Sequence, residues 1–397
     1  MPQFRESETA ARIKPSPTLA VTNLVAALRK SGKHVIDLGA GEPDFDTPHH
    51  VKEAGVSAIR SGKTKYTPNA GTQELREEIS RSLREDFQAD FMPEQITVSN
   101  GAKQAIYNAL LAICNPGDEV ILPVPYWVSY PDQISMVGAV PKLLMASERN
   151  DFKITPNELR AAITPRSRLI ILNSPSNPTG AVYTSEELWE LVEVIHASDL
   201  YVLSDEIYIK LVYDKLQTRS LASFPELRDR VILINGFSKA YAMTGWRLGY
   251  SAAPPPVAAT INKLQSHLTS NACSISQVAG VEALQAPNHF LDKMIAAFDQ
   301  RRRFLHHAIN ELPGVHAALP RGAFYLFANV RGMLGERLGG QALETPADLC
   351  NYLVEQAGVA LVPGEAFGSS EHVRLSYATS IENLHEAMER MRRALLS

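Results

Sequence analysis

Through the middle of the chain, short β-rich runs alternate with helical patterns, and this alternation limits the possible folds more than any other feature. Ile96–Val98, Glu119–Leu122, Ala139–Ala146, Leu169–Leu172, Leu200–Leu203, Val231–Ile234 and Leu248–Ser251 read as strands. Gly101–Ile113 and Thr184–His196 read as helices between them. The second opens on a capping box, Thr184 with Glu187, and Leu188, Leu191, Val192 and Ile195 share one helical face. This pattern predicts an α/β sheet, mostly parallel, with helices on both faces. Near Asn288 the pattern changes to a helix at Phe290–Leu312, an apolar run at Ala323–Ala328, a helix at Ala347–Ala357 and strands near Val359 and Val373. A large domain is expected at 46–288. A smaller α+β domain is expected from 1–45 together with 289–397, since chain termini often lie close together.

The chain has 397 residues, long enough for two cores. Hydrophobic residues at 45% with a net charge of −4 exclude a disordered chain. The slight acidic excess argues against nucleic-acid binding and against an anionic membrane surface. No apolar run approaches the ~20 residues of a membrane span, and the opening MPQFRESETAARIK lacks the apolar core of a secretory leader. Cys114, Cys273 and Cys350 are scattered and form no CxxC, so neither a metal site nor a redox pair is expected. All three are expected to be buried small apolar residues in a cytoplasmic protein.

Ligands of open α/β sheets bind beyond the carboxyl ends of the strands. Polar sequence follows four of the strands. Ser99-Asn100-Gly101-Ala102-Lys103 opens a helix, and Asn173-Ser174-Pro175-Ser176-Asn177-Pro178-Thr179-Gly180 follows Leu172. Ser204-Asp205-Glu206-Ile207-Tyr208 and Asn235-Gly236-Phe237-Ser238-Lys239 follow the next two. Each has a plain structural reading: a turn at Asn177, a cap at Asp205, a solvated Lys239, a tight turn at Gly101. Their meeting on one rim favours a ligand site. Gly39-Ala40-Gly41-Glu42-Pro43-Asp44 lacks the third glycine of a dinucleotide fingerprint, and no GxxxxGK[ST] occurs. A lysine, a carboxylate and an anion cradle suit pyridoxal 5'-phosphate (PLP). Its aldehyde condenses with a lysine, its ring nitrogen is held protonated by a carboxylate, and its phosphate suits a helix start and a guanidinium.

Ser174–Gly180, Ser204–Tyr208, Phe237-Ser238-Lys239, Ala242–Tyr250 and His372-Val373-Arg374-Leu375-Ser376-Tyr377-Ala378 resemble the class I/II aminotransferases of PLP fold type I, across about Ile13 to Met391. The resemblance implies that Lys239 carries the cofactor and then moves the proton at substrate Cα. Asp205 would pair with the ring nitrogen, and Asn177 and Tyr208 with the phenolic oxygen. Gly101, Ala102, Lys103, Ser238 and Arg247 would hold the phosphate. Trp127 would stack on the ring, with an ordinary core aromatic as the other reading. Arg374 would bind the α-carboxylate, with Gly41 near the substrate. Tyr66 would reach the phosphate in the partner subunit, which implies a homodimer with shared sites.

Ile13–Thr18, Gly41–Pro48 and Pro125–Tyr130 resemble the bacterial aspartate aminotransferases of the Iγ subgroup. There Lys103, Ser16 and Thr18 would bind the side-chain carboxylate. Lys14 matches a lysine associated with prephenate, although a solvated terminal lysine is its simpler reading. Ser176 and Ala102 depart from the Asn and Gly common at those positions. The expected activity moves the amino group of L-aspartate to 2-oxoglutarate, so small amino acids and 2-oxo acids are the partners. A prephenate, aromatic or kynurenine aminotransferase stands second. A PLP β C–S lyase and a non-catalytic regulator on the same fold stand behind it.

Overall fold

The computed structural model describes residues 4–287 and 289–396. The expected boundary residue Asn288 lies outside the described residues. Seven strands form the large sheet: β1 Ile96–Ser99, β2 Glu119–Val124, β3 Val140–Met145, β4 Ser167–Asn173, β5 Tyr201–Asp205, β6 Val231–Gly236 and β7 Gly249–Ala252. Their order is β1-β7-β6-β5-β4-β2-β3. All neighbours are parallel except at β7, which runs antiparallel to both β1 and β6.

Successive strand residues point to opposite faces. Ile170 and Leu172 of β4 therefore join a cluster with Ile79, Leu188 and Val192. Leu169 and Ile171 join another with Ile106, Leu110 and Ile261. Both faces are covered by helices, which is why the central strands are continuous apolar runs. The capping box forms as expected: Thr184 accepts from the Glu187 N–H and the Glu187 carboxylate from the Thr184 N–H. At Pro17–Lys30 and His289–Asn310, and again at Pro346–Gln356 and Ile381–Leu396, further helices form. A third cluster gathers Leu38, Met294, Phe298, Leu326, Val359, Leu375 and Leu384. It packs on the antiparallel strands β8 Tyr325–Asn329, β9 Val362–Pro363 and β10 His372–Ser376, in the order β9-β10-β8. Ile36–Asp37 pairs in parallel with Val359–Ala360 and so fastens the N-terminal segment to this cluster.

Within the apolar run Ala323–Ala328 the strand begins at Tyr325, because Ala323 takes a left-handed φ of 56° that no strand accommodates. One expectation is corrected: Cys273 is exposed, whereas Cys114 and Cys350 are buried. It stands at the N-cap of helix Ser274–Gln285, a position set by the helix start rather than by the core. Among the described residues, no helix is long and apolar enough to cross a membrane.

Candidate active site

Asn173 and Asp205 are themselves the last residues of β4 and β5, and Ser238-Lys239 lies just past the end of β6. Since β4, β5 and β6 run parallel, these ends share one rim. Helix Ala102–Ile113 starts there after β1, with Gly101 as its N-cap. Gly101 has φ 83°, and a Cβ there would lie 2.5 Å from Arg247 Nη2. A Cβ at Gly249 would overlap the Ala102 nitrogen. These glycines let a guanidinium approach a helix start whose first N–H groups have no intrahelical acceptor, an arrangement that receives an anion.

The rim opens on a cavity of about 460 Å³. Ser16, Thr18, Gly41, Ala102, Lys103, Trp127, Asn177, Asp205, Tyr208, Ser238, Lys239, Arg247 and Arg374 all line it. Gly101 is not among the lining residues; it N-caps the helix whose Ala102 and Lys103 are. Tyr66 is 91% exposed and Lys14 is exposed, and neither lines the cavity within a single chain.

Asp205 is buried, and its carboxylate accepts from Tyr130 Oη at 2.6 Å and from the Ile207 N–H at 3.2 Å. Burial pushes its pKa up to about 6, and these hydrogen bonds oppose the rise. Lys239 donates from Nζ to the Gly41 carbonyl at 2.6 Å. Burial lowers this amine to about 8, with Glu42 opposing and Arg374 and Arg247 adding to the fall. Lys103 is also lowered, first by burial and then by Arg247, and its Nζ lies 5.0 Å from the Trp127 ring centre. Ser16 and Thr18 hydroxyls meet at 3.0 Å.

Arg374 projects from β10 and is 2% exposed. Its Nη1 donates to Asn177 Oδ1 at 2.9 Å and its Nη2 to the Gly39 carbonyl at 2.7 Å. Its buried Nε has no hydrogen-bond partner among the described residues. An unpaired buried donor is costly, so this edge of the guanidinium is set for an incoming acceptor. Tyr208 Oη lies 2.9 Å from Tyr325 Oη. Tyr130, Tyr325 and Asn173 line the cavity and were not assigned from sequence.

An amine of lowered pKa, a buried carboxylate and an anion-receptive helix start, with a guanidinium opposite, define an α/β enzyme site for small anionic substrates. The chain belongs to the aminotransferase class I and II family, whose model matches residues 33–391. It is similar to the aspartate/prephenate aminotransferase of Nitrosomonas europaea, 46% identical over 390 residues, which are 97% of this chain and 98% of that one. The aspartate aminotransferase structure from Rhizobium meliloti superposes with a TM-score of 0.96 at 42% identity, covering 99% of both chains. That from Thermus thermophilus, solved with maleate, gives 0.93 at 40% identity, covering 99% of this chain and 100% of that one. The architecture is PLP fold type I.

Proposed function

We propose that this protein transfers the amino group of L-aspartate to 2-oxoglutarate with PLP, by a ping-pong route. The observation that carries the reading is a pair of cationic side chains in one cavity, Arg374 and Lys103. A substrate with two carboxylates satisfies both. The Thermus structure was solved with maleate, itself a dicarboxylate.

The residues present fit PLP. Lys239, lowered to about 8, supplies the amine for its aldehyde. Asp205 supplies the carboxylate for its ring nitrogen, and Trp127 a wall for its ring. Asn177 engages Arg374 through Oδ1, which leaves Nδ2 to donate to the phenolic oxygen beside Tyr208. Ala102 and Lys103 offer backbone N–H groups to the phosphate, Ser238 its hydroxyl and Arg247 its guanidinium, in space that a Cβ at Gly101 would close. When bound, the cofactor supplies an electron sink for the pair released at substrate Cα.

The chain's own residues do the rest. Arg374 grips the α-carboxylate at two points. Lys103, with Ser16 and Thr18, takes the side-chain carboxylate. The Gly41 carbonyl holds Lys239 Nζ in the cofactor-free chain, and with cofactor bound the amine that substrate displaces would move the proton at Cα. Tyr66 serves the partner's site, which makes the working unit a homodimer. For the described residues the division stays as read from the sequence, a large domain at 46–288 and a small one from 1–45 with 289–397. The free thiols support a cytoplasmic setting. The name of the Nitrosomonas relative favours prephenate as a second acceptor.

The test is kcat/KM for aspartate and phenylalanine in Lys103→Ala and Arg374→Ala, with cofactor occupancy measured alongside and prephenate tried as acceptor. Arg374→Ala should damage both substrates. Lys103→Ala should lower aspartate by a factor of about 100 or more relative to phenylalanine, since a carboxylate left unpaired costs several kcal/mol. An equal loss for both would refute the dicarboxylate assignment.

A further inference from the structure

Tyr325 has no part in the roles above. It lies on β8, 1% exposed, with its ring centre 4.3 Å from the Arg374 guanidinium carbon. Its hydroxyl meets that of Tyr208 at 2.9 Å. A Cβ at Gly41 would lie 3.5 Å from the same hydroxyl, and the Gly41 carbonyl holds Lys239 Nζ. One phenol thus adjoins the guanidinium, Tyr208 and the backbone that restrains the lysine.

Burial raises both phenols, so both keep their protons at neutral pH. When two buried hydroxyls meet, one donates and the other accepts. Tyr208 has a single proton and cannot give it both to Tyr325 and to the phenolic oxygen of the cofactor. A bond to an anionic oxygen is roughly twice as strong as a neutral one, so the Tyr208 proton turns to the cofactor. Tyr325 must then donate to Tyr208 Oη, and the two bonds polarise one another.

We propose that Tyr325 is a positioning residue that fixes the direction of the Tyr208 proton and so stabilises the anionic phenolic oxygen of the cofactor. The inference rests on the PLP reading given above. Loss of the Tyr325 hydroxyl weakens Tyr208 as a donor. The phenolic oxygen then holds more charge, and the lysine–cofactor linkage keeps its proton to higher pH.

The experiment follows the visible absorbance of the reconstituted protein against pH in the native chain, Tyr325→Phe, Tyr208→Phe and the double variant. Tyr325→Phe keeps the ring beneath Arg374, and its midpoint should rise by about half to one pH unit, a three- to tenfold gain in proton affinity. In the Tyr208→Phe background the same substitution should add nothing, because Tyr325 acts through Tyr208. An unmoved midpoint in Tyr325→Phe, or a shift that persists without the Tyr208 hydroxyl, overturns the proposal alone. A native chain with no titrating visible band overturns the cofactor reading and this proposal with it.

Discussion

At the scale of single residues, Asp205 sets function against stability. Its carboxyl is raised by burial from 3.8 to about 6. Because the folded value lies above the unfolded one, the ionised form penalises the cofactor-free fold. The penalty is absent below about pH 4, grows to about pH 6 and is constant above it. Asp205→Asn should therefore stabilise the cofactor-free protein by roughly 2–3 kcal/mol at pH 8, and by less as the pH falls toward 4. Calorimetric melting at both pH values measures this, and a gain independent of pH would contradict it. The same variant should lose most turnover while retaining PLP. Lys239 and Asp205 are legible in the sequence because a polar residue closing an apolar run surfaces at the rim, and Asn177 lies in the polar segment after such a run; Arg374, in mid-strand, is legible only through the family resemblance. Tyr130 and Tyr325 are not legible. Tyr325 sits inside an apolar run and reads as core, Tyr130 opens a short helix, and what sets both apart are hydroxyl partners 75 and 117 residues away.

Among the elements, the start of helix Ala102–Ile113 is the most exacting. Gly101→Ala would strain a left-handed backbone and drive a Cβ against Arg247 Nη2, with only 2.5 Å between them. Its affinity for PLP should fall by about tenfold or more, equivalent to at least 1.4 kcal/mol. Gly117→Ala is the control: φ is again positive, at 88°, but nothing lies within 4 Å of the added carbon. That variant should bear the backbone strain and bind PLP as the native chain does. Absorbance titration of the cofactor-free protein compares them, and equal affinities would remove Gly101 from the cradle. The large-sheet strands and their order of appearance were legible, since buried parallel strands are written as apolar runs. Helix Gln73–Phe87 was not assigned, although its Thr72 cap and its buried Leu75, Ile79 and Leu83 repeat at helical spacing. Helix Ser274–Gln285 gives a weaker signal, because Gln277, Ala279, Gly280 and Val281 are buried on several sides and leave no single stripe.

For the whole molecule, Tyr66 offers the test of how many chains make one site. It is exposed in the single chain and outside the cavity. If it serves the partner, a hybrid of a Tyr66→Ala chain with a Lys239→Ala chain rebuilds one intact site. Such hybrids, refolded from a mixture, should regain activity toward roughly a quarter of the native level, as half of randomly paired dimers are hybrids with one good site. Activity no greater than that of the two parents mixed without exchange would assign Tyr66 to its own chain or to neither. Neither periodicity nor strand-end position marks Tyr66; only the family resemblance suggests its place, because that place would lie in the partner chain.

The reversed direction of β7 has a consequence for tolerance to length change. The chain leaves the rim at Gly236 and, because β7 alone runs against its neighbours, is back on it by Gly249. The Lys239 amine and the Arg247 guanidinium therefore share one short excursion, and closing so short a loop costs little chain entropy. Every other crossover of the sheet can lengthen or shorten without altering the spacing between them. A single residue inserted at 240–246 changes it at once, so in this connection the count of residues is itself part of the site.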